Sequence, residues 1–363
     1  MISISKPLLG EEEQAAVRRV IESGMLAQGP RVAEFERAFA EFIGVNHAIA
    51  TSNGTTALHA ALLAHGVGPG DEVITTPFTF MASVNSILFT GARPVLVDID
   101  DSFNINPELI EAAITPHTKA IMPVHLYGQP ADLGLIDQIA RRHGLALIED
   151  ACQAHGAEFA GRKAGSYGSG CFSFYATKNM TTGEGGMITT DDEGVAQRAR
   201  MIIAHGMKVR YYHETLGYNY RITDLAAAIG IEQLKKLPAF NARRAENAAW
   251  YDQHLVNIPG LIRPTVGPDR THVYHQYTIR ITPEYGLSRD ALVEQLGKRG
   301  IGSAIYYPIP VHRQHSMRAY GVGDLVFPVT EHMADQVLSI PIHPSVTDND
   351  RLVIADALSS AQL

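Results

Sequence analysis

VNHAIATSNGTTALHAALLAHG, residues 45–66, changes its period in the middle. A short apolar run ends at Ala50, whereas Ala57, Leu58, Ala61 and Leu62 recur at the helical spacing of three and four. The stretch therefore reads as a strand, a turn from Ser52 to Thr56, and an amphipathic helix. The same alternation repeats through residue 190, in DEVITTP (71–77) before MASVNSILFTG (81–91), in RPVLVDID (93–100), in KAIMPVHL (119–126) before ADLGLIDQIARRHG (131–144), and in LALIED (145–150). Continuous apolar strands alternating with helices belong to a largely parallel sheet covered on both faces. The expectation is an α/β fold whose ligands gather beyond the carboxyl ends of the strands.

Past Gly185, GMITTDD reads as another strand and 193–204 as a helix. Residues 223–257 keep a helical pattern, and Pro238 is expected to divide them into two helices. From about residue 258 the rhythm changes, with a strand in YHQYTIRIT (274–282), a helix in SRDALVEQLGKRG (288–300), an extended YYPIPVH (306–312) and two short closing helices. The predicted organisation is a large α/β domain with an N-terminal helical segment over 1–250 and a smaller C-terminal α+β domain over 251–363, as a chain of 363 residues permits.

Hydrophobic content of 45% and charged content of 19% are globular values, and no apolar run approaches the roughly 20 residues of a membrane span. The opening MISISKPLLGEEEQ has neither basic flank nor apolar core, so the expected location is cytoplasmic. A net charge of −8 argues against a nucleic-acid surface, which needs clustered Lys and Arg. The two cysteines, Cys152 and Cys171, form no CxxC pair and read as small buried residues. The 16 histidines are scattered without ligand spacing, so no metal is expected.

Three stretches carry chemistry. The turn Ser52–Thr56 opens a helix, and a glycine turn there exposes free N–H groups at the positive end of the macrodipole, an anion site suited to phosphate. Taken alone it is equally a simple helix cap. In LALIEDACQAHG (145–156) an apolar strand leads to Glu149 and Asp150; an ionised carboxylate there needs a cationic partner such as a protonated pyridine nitrogen, or else is a cap or surface acid. Gln153 and His155 follow on the same loop, within reach of such a ring. In GCFSFYATKN (170–179) Ser173 and Tyr175 share one strand face, Phe172 and Phe174 the other, and Lys178 falls on the loop before the glycine-rich TTGEGG (181–186). Lysines are usually solvated, but one desolvated beside a phosphate site and an acid suits a carbonyl cofactor, pyridoxal phosphate.

NGTTALHAAL (53–62), TTPFTFMAS (75–83), PVHLYGQPADL (123–133), EDACQAHGA (149–157), GSGCFSFYATKNMTTGEGG (168–186), GYNYRITDLAAAIGIEQL (217–234) and YYPIPVH (306–312) together resemble the DegT/DnrJ-type sugar aminotransferases, within the fold-type I, aspartate-aminotransferase-like pyridoxal-phosphate enzymes. The likeness runs over essentially the whole chain, with the motifs in the same order. It implies that Lys178 is the Schiff-base lysine, that Asp150 pairs with the pyridinium nitrogen, and that Gln153 lies near the ring hydroxyl. It further implies that Gly54, Thr55 and Ser173 bind the phosphate and that Phe80 stacks on the ring; without the resemblance Phe80 reads as core.

GYNYRITD (217–224) matches a segment that reaches a neighbouring subunit's cofactor phosphate, through Asn219 or Arg221, which implies a homodimer with shared sites. Some relatives carry His at the lysine position and dehydrate sugars; Lys178 places transamination ahead. The resemblance thus implies an amino-acid donor, L-glutamate first, and a nucleotide-sugar acceptor, with pyridoxal 5'-phosphate alternating with pyridoxamine 5'-phosphate. The 4-keto-6-deoxy class leads, with 3-keto-sugars or keto-inositols as alternatives, and a non-catalytic binding protein as the alternative of another class. His125, Tyr127, Tyr307 and His312 are candidates for the sugar end, each otherwise a packing or capping residue.

Overall fold

In a computed structural model, residues 1–361 are described. The main sheet takes seven strands: β1 (His47–Thr51), β2 (Glu72–Thr75), β3 (Arg93–Leu96), β4 (Thr118–Ile121), β5 (Ala146–Asp150), and, past the ribbon of β6 (Glu158–Phe159) and β7 (Arg162–Lys163), β8 (Ser169–Ser173) and β9 (Gly186–Thr190). Their order is β1-β9-β8-β5-β4-β2-β3. Pairing is parallel from β3 across to β8, and β9 alone runs against both its neighbours.

Alternation along β8 decides what covers each face. Phe172 joins a core with Phe35 and Phe39 of α2 (Pro30–Ile43) and Leu234 of α7 (Asp224–His254). Cys171 faces the other way, into a core with Leu58 and Leu62 of α3 (Gly54–Ala64) and Val195 of α6 (Glu193–Ile202). On the far half of the sheet, Ile136 and Ile139 of α5 (Leu133–His143) pack with Ile74 and Ile121. Close beside α7 lies α1 (Glu11–Ser23), while α4 (Met81–Phe89) lies beside α3.

The expected break at Pro238 does not occur: α7 runs unbroken from Asp224 to His254. An interior proline costs about 3 kcal/mol. Here Leu234 and Leu237 are buried in the main core before it, and Ala248 and Tyr251 in the C-terminal core after it. Those two anchored flanks outweigh one missing hydrogen bond. The expected boundary at 250/251 thus falls inside this helix.

After the ribbon of β10 (Met207–Val209) and β11 (Tyr212–His213), an antiparallel sheet forms in the order β12 (Leu261–Ile262), β13 (Tyr277–Ile281), β14 (Val337–Ile340). It packs with α8 (Arg289–Lys298) and α10 (Asp348–Ser360), and α9 (Pro328–Gln336) lies along β13. The strand β14, between the two closing helices, was not expected; its four residues are all buried and too few to show a period. Ile2, at the other end of the chain, bridges to Ile301 and packs on this C-terminal core. Among the described residues no helix is long and apolar enough to cross a membrane.

Candidate active site

A cleft of about 790 Å³ opens at the carboxyl ends of β5 and β8, against the start of α3. Asn53 caps that helix, its Oδ1 accepting from Thr56 N at 2.9 Å while Thr56 Oγ1 accepts from Asn53 N at 3.1 Å. Among the described residues the N–H groups of Gly54 and Thr55 have no partner, which leaves the positive helix end facing the cleft. The packing explains the glycine: a Cβ on Gly54 would lie 2.7 Å from Ser173 Cβ and 3.0 Å from Cys152 Sγ. Gly186 is equally confined, since its Cβ would meet the Asn53 carbonyl oxygen at 2.4 Å.

The two neighbouring acids at the end of β5 separate by strand alternation. Asp150 reaches the cleft, where Ser83 Oγ donates to its Oδ2 at 2.7 Å and Cys152 N to its Oδ1 at 3.2 Å. Glu149 points into the protein and accepts from His125 Nε2 (3.0 Å), Gly165 N (2.7 Å), Tyr167 N (2.8 Å) and Gly168 N (3.1 Å). Burial pushes the Glu149 pKa up, yet the His125 bond and the backbone N–H groups outweigh it and hold the carboxyl below its usual range.

Lys178 follows a turn after β8, with its N–H donating to Tyr175 O at 2.9 Å. It lines the cleft and, among the described residues, makes no ion pair. Burial holds its ammonium below the ordinary lysine value, with Cys152 and Asp150 opposing that shift. Gln153 spans the floor, accepting from Tyr127 N at 2.8 Å through Oε1 and donating to the Tyr307 hydroxyl at 3.2 Å through Nε2. Phe80 is 57% exposed beside the cleft, its ring 5.9 Å from that of Tyr307.

The cleft therefore brings together Gly54, Thr55, Phe80, Asp150, Gln153, Ser173, Lys178 and Tyr307 of the expected residues. The other sugar-end candidates lie elsewhere. His125 is fully buried, with Nδ1 accepting from Ala131 N at 3.1 Å and Nε2 bonded to Glu149, so both nitrogens are spent within the protein. Tyr127 is buried, its hydroxyl donating to the Tyr306 carbonyl. His312 is buried against Phe327 and bonded to Glu331 at 2.9 Å. His155 packs between Phe172 and Phe174 rather than in the cleft.

Asn219 and Arg221 also lie outside the cleft; the first bridges by backbone to Ala204 and the second to Thr51. Sequence reading missed Ser83, Glu184, His275 and Tyr306 in the lining. Glu184 stood in the quoted glycine loop, Ser83 at the end of the TTPFTFMAS motif and Tyr306 in the YYPIPVH motif, whereas His275 lay in none of the motifs that carry the resemblance.

A helix start, an acid and a lysine at neighbouring strand ends of one covered sheet define a fold-type I pyridoxal-phosphate aminotransferase, the class to which solved neighbours with TM-scores near 0.9 belong. Within that class the chain belongs to the DegT/DnrJ/EryC1/StrS aminotransferase family, whose model matches residues 7–359. It is 42% identical over 363 residues to the spore coat polysaccharide biosynthesis protein SpsC of Bacillus subtilis (strain 168), covering 95% of this chain and 93% of SpsC. DesV of S. venezuelae, solved in complex with a ketimine intermediate, superposes with a TM-score of 0.92 at 40% identity, over 97% of this chain and 94% of DesV. NtdA of Bacillus subtilis, solved with bound cofactor PMP, gives 0.90 at 34% identity, over 97% and 81% of the two chains. The expected family, fold and pyridoxal-phosphate cofactor all stand, and the family is one of sugar aminotransferases.

Proposed function

We propose that the protein transfers an amino group from an amino acid, L-glutamate first, to a nucleotide-linked keto-sugar of the 4-keto-6-deoxy class. The observation that carries this reading is Lys178, without an ion pair among the described residues and held below its ordinary pKa, on the same cleft as Asp150 and the start of α3. Polysaccharide biosynthesis in the name of SpsC supports a sugar acceptor. The cleft volume of about 790 Å³ supports a ligand larger than the cofactor alone.

The residues present fit pyridoxal phosphate. The N–H groups of Gly54 and Thr55, without a partner among the described residues, would hold the phosphate with Ser173 Oγ beside them. The exposed Phe80 ring offers a face for stacking, and the Asp150 carboxylate, oriented by Ser83 and Cys152 N, would keep the ring nitrogen protonated. Gln153, fixed at both ends, would meet the ring hydroxyl. Bound there, the cofactor supplies an aldehyde that exchanges amines and a pyridinium ring that withdraws electrons.

Lys178 does the rest through Nζ. Its lowered pKa favours the free amine, which would hold the aldehyde and, when not bound to it, would carry the proton from the donor carbon to the cofactor carbon. The working unit in this reading is a homodimer. Asn219 and Arg221, outside their own chain's cleft, support delivery of one of them to the phosphate end of a second copy's cleft.

A visible absorption spectrum with and without L-glutamate tests this, beside Lys178→Ala. The expected result is a cofactor band that bleaches in the wild type and a variant without the lysine-dependent band. A wild type that stays colourless with added pyridoxal phosphate overturns the reading. Screening nucleotide-linked 4-keto and 3-keto sugars then tests the acceptor class.

A further inference from the structure

Two asparagines, the buried Asn179 and the half-buried Asn241, fix the direction of a hydrogen-bond chain that ends on the cleft. Asn241, on α7, donates from Nδ2 to the His155 carbonyl at 2.8 Å. A carbonyl oxygen only accepts, so the other end of this amide is the oxygen, and it accepts from Asn179 Nδ2 at 2.9 Å. Asn179 Nδ2 also donates to the Val273 carbonyl at 2.9 Å, which fixes the second amide by the same logic. Asn179 Oδ1 is left as an acceptor, and its partner is His275 Nδ1 at 3.3 Å. The imidazole proton therefore sits on Nδ1 and the lone pair on Nε2.

His275 is buried yet lines the cleft. Among the described residues its Nε2 makes no hydrogen bond, and it is not sealed off as both ring nitrogens of His155 are. A second proton is opposed from every side. Burial leads, followed by Lys178 on the adjoining loop, Arg244 on α7, His155 on the loop after β5 and His272 on its own segment, which together hold the ring well below the ordinary histidine range. Arg244 also locks the segment in place, donating to the carbonyls of Tyr274 (2.9 Å) and His275 (3.3 Å). Among the described residues no carboxylate neutralises it.

We propose that His275 is a substrate-binding residue whose neutral Nε2 accepts a hydrogen bond from an O–H or N–H group of the bound substrate, and that Asn179 and Asn241 are positioning residues that hold it in that tautomer. The proposal rests on the aminotransferase reading for the identity of the donor group, a sugar hydroxyl or the amino donor's ammonium; the tautomer stands without it.

Nitrogen-15 NMR of the cofactor-loaded full chain, with labelled histidine, reads the tautomer directly. The His275 signal is assigned by its loss in His275→Phe or, should that variant not fold, in His275→Gln. The expected signature is a neutral ring protonated at Nδ1 from about pH 8 to about pH 6, moving toward the Nε2-protonated form in Asn241→Leu. A wild-type ring protonated at Nε2, or charged at about pH 6.5, overturns the proposal.

Steady-state kinetics separates the two substrates. His275→Phe is expected to raise KM roughly tenfold for whichever of the acceptor sugar and the amino donor supplies the hydrogen, with kcat changed less, and His275→Gln to recover part of the loss. Unchanged KM for both substrates in a folded, cofactor-loaded variant overturns the binding role. A protein without transaminase activity but with the Nδ1-protonated ring would fail the functional reading and leave the tautomer intact.

Discussion

Ser83 Oγ donates to Asp150 Oδ2 across 2.7 Å, joining the first turn of α4 to the end of β5. Thr79 Oγ1 lies 2.8 Å from the same hydroxyl, so the carboxylate is aimed by a short chain of hydroxyls rather than by a cation. Removing the hydroxyl in Ser83→Ala deletes one bond to a charged acceptor, worth about 1.5 kcal/mol. The expected outcome is roughly tenfold weaker cofactor binding with little change in melting temperature, read by absorbance titration.

Gly54→Ala acts on the phosphate end. Its new Cβ would stand 2.7 Å from Ser173 Cβ, so the start of α3 and the end of β8 must move apart. Overpacking of this kind costs about 1–3 kcal/mol. Both a lower melting temperature and weaker retention of the cofactor on dialysis are expected.

Lys178 has a stability signature apart from catalysis. Its folded pKa is lowered, chiefly by burial, so between that value and the unfolded value of about 10.4 the unfolded chain binds more protons. Stability then rises with pH through this window. The cofactor-free Lys178→Met variant is expected to melt above the cofactor-free wild type at neutral pH, with the gap closing as pH approaches about 10.4, and to have no transaminase activity. Thermal melts across pH check the first point.

Acid acts through the histidines. His155, buried and beside Lys178, is pushed down to about 3, and burial pushes His272 down to about 3 as well. Groups with depressed folded values contribute stability that is complete above the unfolded value of about 6.5 and lost as pH falls from there toward the folded values. Each contributes a slope of up to about 1.4 kcal/mol per pH unit. His155→Phe, packed between Phe172 and Phe174, is expected to flatten the acid limb; urea unfolding near neutral pH and again about two units lower measures the change.

The lysine, the acid and the helix start were each legible because they follow a local change of pattern. Asp150 ends an apolar run, Lys178 precedes a glycine loop, and Gly54 opens an amphipathic helix. His125, Tyr127 and His312 were misplaced for the complementary reason. Each stands in a quoted motif, but His125 is spent on Glu149, Tyr127 on the Tyr306 carbonyl and His312 on Glu331, partners that no local pattern announces. Pro238 misled as well, because the helix is held by cores at both of its ends rather than by its own propensity.

By itself the sequence determined the α/β alternation, the strand ends and the family, because periodicity, capping and motif order are properties of neighbouring residues. Only the tertiary structure decided that Ser83 orients Asp150, that Glu149 turns away from the cleft, and that Asn241 and Asn179 set the proton on His275. Those pairings join residues from 16 to 96 positions apart, and they arise when sheet and helices pack. A buried polar atom must find a partner wherever the fold brings one within reach, and that requirement, rather than any local pattern, chose them.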